Sequence, residues 1–168
     1  MIILETPRLM IRGFTQADIP LAFAYSQEQC TREQLPDEVF DSPEDAGEVI
    51  HALMENYDSR SLPLVYAVAL RDTGKLIGHV SLSGIGEGKV EIGYAVATEY
   101  QGRGYASELI GPFAEWAKTA LRIDKLYGIV KASNAASWKC LEKAGFILVR
   151  EETRELFGGV YSTRVYIV

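Results

Sequence analysis

Polar and apolar positions along the chain alternate at some stretches and recur at helical spacing at others, and the switches are sharply punctuated. Arg8 to Phe14 alternates as a strand, with Leu9 and Ile11 on one side and Arg8, Met10 and Arg12 on the other. Thr15 with Asp18 three residues on is a helix-start pattern, and predicts a first helix to about Ser26. Glu28 to Asp41 is polar and acidic, and Pro36 interrupts it. Ser42-Pro43-Glu44-Asp45 joins a cap, an early proline and first-turn acids, so a second helix should run to Asn56. Val49, Ile50, Leu53 and Met54 form its apolar stripe.

Pro63 to Leu70 and Leu76 to Ser83 read as strands around the turn at 72–75. A third strand, Lys89 to Val96, follows the glycine turn at 84–88. Gly104 to about Ala120 returns to helical spacing, and Lys125 to Val130 is a strand. Asn134 to Ala144 is a helix stopped by Gly145, a residue suited to a left-handed C-terminal position. Phe146 to Arg154 and Val160 to Val168 form a closing hairpin around Gly158-Gly159. The order β-α-α-β-β-β-α-β-α-β-β predicts an α/β (α+β) chain of about seven strands and about four helices. Residues 1–168 are expected to form one domain, with no repeat and no linker.

Composition narrows the chemistry. The chain has 168 residues, 48% apolar and 24% charged, which suits a globular protein with a real core. Its formal net charge is -6 and it shows no basic stripe, which argues against a nucleic-acid partner. Cys30 and Cys140 form no close pair, and His51 and His79 add no ligand spacing. Neither a disulfide framework nor a metal site is expected. The apolar start Met1-Ile2-Ile3-Leu4 is short and lacks a basic lead, and the longest apolar run is Leu64 to Leu70. The expectation is a cytoplasmic protein with no membrane partner, monomeric or homodimeric.

The densest chemical signal lies at 90–107. A strand runs into Gln101-Gly102-Arg103-Gly104-Tyr105-Ala106-Ser107, which opens a helix. Small residues leave N–H groups uncovered at a helix N-terminus, where the dipole favours an anion such as a pyrophosphate. Arg103 can add a guanidinium. A plain glycine turn into a helix gives the same pattern. A dinucleotide fold is the other reading, but it wants a parallel βαβ unit with an acid after the second strand, and Asp124 precedes that strand. The phosphate-loop ending Gly-Lys-Ser/Thr is absent.

With Gln101, Gly104 and Ala106 in the places of Gln/Arg-x-x-Gly-x-Gly/Ala between a strand and a helix, the sequence resembles the GNAT acetyltransferase superfamily. Ala132 to Ser137 and Leu141 to Phe146 look like its ribosomal-protein alanine N-acetyltransferase (RimJ/RimL-type) branch, and Glu5 to Leu9 and Glu91 to Tyr94 suit it. The resemblance implies a GNAT-like fold with a mixed, mostly antiparallel central sheet. Two departures stand out. Thr98 occupies a place where many members carry Pro, and Leu141 occupies the place of a Tyr that many members use as general acid.

The resemblance implies acetyl-CoA as co-substrate, lying between the 90–96 and 125–130 strands and bonded by the backbone of Tyr94, Ala95 and Val96. One N–H there would polarise the thioester carbonyl. Gln101, Gly102, Arg103, Gly104, Tyr105, Ala106 and Ser107 would hold the pyrophosphate. Asn134 reads either as a pantetheine ligand or as a helix N-cap. Ser137 reads either as a group acting on the departing sulfur or as a first-turn serine bonded locally. Glu91 is a strand-centre acid, placed there either as a general base or as a solvated carboxylate. The expected activity is acetyl transfer to a primary amine by direct attack in a ternary complex. A non-catalytic acetyl-CoA-binding or sensing module of the same fold is the alternative. The acids Glu33, Asp37, Glu38, Asp41, Glu44, Asp45 and Glu48 accumulate with no Lys or Arg among them, which suggests a cationic acceptor.

Overall fold

The N-terminal alternation produces a pair of short strands. In the computed structural model, which describes residues 1–59 and 61–168, β1 (Ile2–Glu5) pairs antiparallel with β2 (Leu9–Arg12). Leu9 and Ile11 are fully buried, as their shared side demands. The helices are α1 (Ile19–Ser26), α2 (Gln29–Gln34), α3 (Pro43–Asn56), α4 (Tyr105–Leu121) and α5 (Ala135–Lys143). The remaining strands are β3 (Leu64–Leu70), β4 (Leu76–Gly84), β5 (Val90–Val96), β6 (Tyr127–Lys131), β7 (Ile147–Leu156) and β8 (Gly159–Ile167). They make one sheet in the order β1-β2-β3-β4-β5-β6-β8-β7, with β5 and β6 parallel. The mixed α/β architecture expected from the sequence is present, with β1 and α2 as additional elements. Strand β1 is too short and too exposed at its ends for periodicity to mark it. Helix α2 is a six-residue polar helix with one buried residue, Thr31, so it has no apolar stripe to read.

The chain divides into two compact units. Residues 1–81 and 94–105 form the first. Its core gathers Phe14, Ala22, Tyr25, Ile50, Ala67 and Leu76, and Phe40, Leu53 and Ala97 pack against it. Ser42 caps α3 by accepting from the Asp45 N–H at 3.1 Å. Below the start of α1, Asp18 is buried and takes a two-pronged ion pair from Arg12 at 2.7 and 2.8 Å. The same carboxylate accepts from the Thr15 N–H at 2.8 Å and hydroxyl at 2.9 Å, so the expected helix-start pattern forms around a buried acid. Burial pushes the Asp18 pKa up, but the Arg12 bonds, the Thr15 bonds and the Arg12 charge outweigh it and leave it lowered.

Residues 82–93 and 106–168 form the second unit. Helix α4 buries Leu109, Ile110, Phe113, Ala114 and Ala117. Leu141 of α5 is fully buried against Gly128 of β6, where an added Cβ would come within 2.8 Å of its Cδ1. Strand β6 pairs antiparallel with β8, and β8 with β7. The β7–β8 turn is Phe157-Gly158, one residue earlier than the glycine pair suggested, because Leu156 pairs with Gly159. Phe157 and Gly158 have φ of 51° and 74°, the positive values that a two-residue hairpin loop needs to follow the strand twist.

Candidate active site

In the first unit, β4 and the end of β5 approach each other too closely for a side chain. A Cβ built on Gly78 would lie 2.1 Å from the Ala95 carbonyl oxygen and 3.0 Å from the Val96 Cα. Regular neighbouring strands never bring a backbone oxygen onto a Cβ position, so 94–96 depart from simple pairing here. The Ala97 N–H then donates to the Ile77 carbonyl at 2.8 Å, which returns the chain to β4 and launches the glycine loop. The loop's 3₁₀ turn spans Thr98–Tyr100. Gly102 and Gly104 come next, with φ of 72° and 81°, a conformation that side chains disfavour.

Two guanidinium groups serve this loop. Arg103 lies over the Tyr100 ring, 5.6 Å from its centroid. Arg8, from the connection before β2, donates to the Arg103 carbonyl at 3.0 Å and stacks 4.5 Å over the Tyr105 ring. A Cβ on Gly104 would meet only the Arg8 Nη2, at 3.5 Å. Gln101 folds back along the loop. Its Nε2 donates to the Val96 carbonyl at 2.8 Å and contacts Cys30 Sγ at 3.5 Å, so its side chain braces the loop.

In the second unit, α4 continues with Ala106 and Ser107, and the Ser107 hydroxyl is directed at Cys140 Sγ at 3.5 Å. Glu91 is the second residue of β5 rather than its middle, and it stands opposite Tyr127 in the parallel pair with β6. Leu126 exchanges backbone bonds with Val168, and the Ala132 N–H donates to Ser162, so the even-numbered residues of this stretch face β8. The odd-numbered ones therefore face the other way, toward β5. Among them, the Ile129 N–H bonds the Glu91 carboxylate. Burial raises the Glu91 pKa to about 7, against the Arg154 charge and the Ile129 bond, which lower it.

Asn134 is the N-cap of α5, and its Oδ1 accepts from the Ser137 N–H at 3.2 Å. The cap thus uses the carbonyl half of the amide. Ser137 lies in the first turn of α5, half-buried. Among the described residues, no group of three or more His, Cys, Asp or Glu could hold a metal ion. No helix among them is long and apolar enough to cross a membrane.

Residues 8–147 match the model of the acetyltransferase (GNAT) domain. The chain belongs to the GNAT acetyltransferase family. A relative in Bacillus subtilis (strain 168), the uncharacterized N-acetyltransferase YoaA, is 30% identical over 171 residues, covering 99% of this chain and 96% of its own length. The fold is similar to that of the ribosomal-protein-S5-alanine acetyltransferase from Vibrio fischeri, with a TM-score of 0.81 at 20% identity, covering 98% of this chain and 94% of that one. It is similar also to RimL, a ribosomal L7/L12 alpha-N-protein acetyltransferase solved in complex with coenzyme A, with a TM-score of 0.82 at 18% identity, covering 100% and 97%.

For this GNAT acetyltransferase, the expected site residues fall on both units. Tyr94, Ala95, Val96 and Gln101 to Tyr105 lie in the first, and Glu91, Ala106, Ser107, Asn134 and Ser137 in the second. Sequence reasoning missed Gly78 and Arg8. Gly78 left a signal, because a lone glycine in a strand pattern marks a bulge or a close backbone approach. Arg8 left only its place in an alternating strand. At the place of the absent general-acid Tyr, Leu141 is fully buried beside Gly128.

The raised Glu91 pKa carries a stability signature. Folded Glu91 keeps its proton to about pH 7, whereas the ordinary value is 4.5. The folded state binds the extra proton between those values, so this contribution is full below 4.5 and lost as pH rises through about 7. The interval is worth about 3 kcal/mol at most, before any screening by solvent. Glu91→Gln is therefore expected to melt above the parent at pH 8 and to lose that advantage by pH 4.5. Thermal melts across the range check this, and a pH-independent difference would contradict it.

Proposed function

We propose that this acetyltransferase moves acetyl from acetyl-CoA to a primary amine by direct attack of the neutral amine in a ternary complex. The observation that carries the reading is Glu91, a half-buried carboxylate held at a pKa of about 7, the range in which a general base works best near neutral pH. The glycine loop fits the cofactor: positive-φ Gly102 and Gly104 keep its backbone uncovered, and Arg8 and Arg103 flank it. Backbone N–H groups of this loop and of Ala106 and Ser107 bind the pyrophosphate in this scheme. The backbone of Tyr94 to Val96 binds pantetheine and polarises the thioester carbonyl. Asn134 donates through Nδ2 to a pantetheine carbonyl, since its Oδ1 serves the helix cap. Glu91, directly or through water, removes the amine proton, and Ser137 donates toward the departing sulfur.

The acceptor we favour is a cationic amine, either a peptide N-terminus with basic neighbours or a polyamine-like molecule. The acids between 33 and 48 support it, although several also have local work. Glu33 accepts from Gln29, Asp45 accepts from the Asp41 N–H, and Glu38 lies against His79. Asp37 and Asp41 are the acids best suited to test steering, because changing Glu38 would also disturb the buried histidine.

Acetyl-CoA is expected to raise the melting temperature of the parent, and Gly104→Val should abolish most of that rise, because the loop's φ of 81° is strained for a β-branched residue. Equal stabilisation of parent and variant would remove the loop from the site.

Ser137→Ala is expected to lower kcat by about 10-fold or more while leaving acetyl-CoA affinity nearly unchanged, the pattern of a transition-state interaction. The check is thiol release measured over a panel of amines, beside direct binding. An unchanged kcat would return Ser137 to helix-start duty.

Acceptor KM should rise with salt in the parent, as the Debye length shrinks from about 10 Å at 0.1 M to about 3 Å at 1 M. It should be higher and flatter in Asp37→Asn/Asp41→Asn. Identical, salt-insensitive KM values would leave the acids without a steering role.

A further inference from the structure

Glu28 stands at the N-cap of α2 with extended backbone, φ -65° and ψ 147°, yet its side chain makes no bond to its own helix. Its Oε2 instead accepts from the Thr98 backbone N–H at 2.8 Å and from the Thr98 hydroxyl at 2.7 Å, 70 residues away in the chain. Thr98 opens the 3₁₀ turn of the glycine loop, and the turn's own N-cap, Ala97, has no side-chain oxygen to offer. Glu28 therefore caps that turn from another segment. A weaker tie runs beside it, from Gln101 Nε2 to Cys30 Sγ at 3.5 Å. The joint borders an open depression of about 520 Å³ lined by Glu28, Gln29, Cys30, Glu33, Gln34 and Thr98.

The rest of the 28–38 segment is anchored elsewhere. Thr31 donates its hydroxyl to the Tyr25 carbonyl at 2.9 Å. Glu38 Oε2, a buried oxygen without a well-directed hydrogen bond, lies 3.0 Å from Nε2 of buried His79, whose Nδ1 is 3.1 Å from the Tyr25 hydroxyl. None of these bonds has a partner in the glycine loop. Loop and α2 are thus joined mainly by Glu28, with the longer Gln101–Cys30 contact beside it, and the two bonds on that carboxylate can be made or broken without dismantling either element.

We propose that Glu28 is a positioning residue that couples the glycine loop to the α2 segment, so that acetyl-CoA held by the loop fixes α2. The proposal rests on the cofactor reading above. Coupling of this kind is reciprocal: whatever orders α2 also favours the loop's binding-competent form.

Hydrogen exchange of the full chain, with and without saturating acetyl-CoA, tests it in the parent, Glu28→Ala, Glu28→Gln and Thr98→Pro. Ala97 has φ -53° and ψ 142°, a conformation that suits a residue before proline, and Thr98 is the first residue of its turn, where proline fits. Thr98→Pro therefore keeps the loop's path while removing both bonds to Glu28. In the parent, acetyl-CoA should slow exchange at 97–105 and also at 29–35, the latter by about 10-fold, as two exposed hydrogen bonds allow. In Glu28→Ala and Thr98→Pro the slowing should persist at 97–105 and largely vanish at 29–35, and Glu28→Gln, which can still accept, should keep part of it. Parent-like slowing at 29–35 in Glu28→Ala and Thr98→Pro would overturn the proposal. So would exchange at 29–35 that rises equally with and without ligand. A parent whose 97–105 loop gains no protection overturns the cofactor reading, and the coupling with it.

Discussion

The Ala95 carbonyl occupies the space where residue 78 would carry its Cβ, 2.1 Å from that position. Much of the first unit's site geometry depends on this close approach. With glycine at 78, β5 can leave regular pairing, and the Ala97 N–H can bond Ile77 as the chain turns into the loop. Any larger residue at 78 would collide with backbone, which cannot rotate away as a flexible side chain can. The loop beyond it uses Gly102 and Gly104 to keep its own backbone uncovered, and Gln101 to tie its start back to Val96.

A different balance governs the second unit. Glu91 bonds the Ile129 N–H, one of the β6 groups turned away from β8. That position removes water from the carboxylate without supplying a full ion pair, and the result is a pKa of about 7. In the same unit, two α5 residues have structural work. Asn134 caps the helix and Leu141 fills the space that Gly128 leaves. Leu141, not a tyrosine, stands at that place, and Ser137 is the group we propose for delivering a proton to the sulfur.

Long-range ties hold the neighbourhood of the loop. Arg8 reaches Arg103 and Tyr105, and Glu28 reaches Thr98. Each links segments far apart in sequence, at the loop that the family resemblance associates with the cofactor. They also redistribute charge: Arg8 brings a second guanidinium to the loop, while Glu33, Glu38 and Asp45 of the acidic stretch are engaged locally. These bonds orient the carboxylates, and their neutral donors leave the charge of Glu33 and Asp45 in place.

Elements with strong local causes could be read directly from the residues. The Ser42 cap, the Leu9/Ile11 alternation, the Gly145 stop and the strand-loop-helix at 90–107 all appear where the pattern put them, because each depends on residues within a few positions of one another. The GNAT family was legible for the same reason, since its motif is local. The tertiary structure decided what no short window contains. It placed the Ala95 carbonyl over Gly78, stacked Arg8 on Tyr105, brought Glu28 to Thr98 and withdrew Glu91 from water far enough to raise its pKa. It also made a helix of polar residues 29–34 and moved the last hairpin turn to Phe157-Gly158, because pairing register and neighbouring segments outweigh weak local preference.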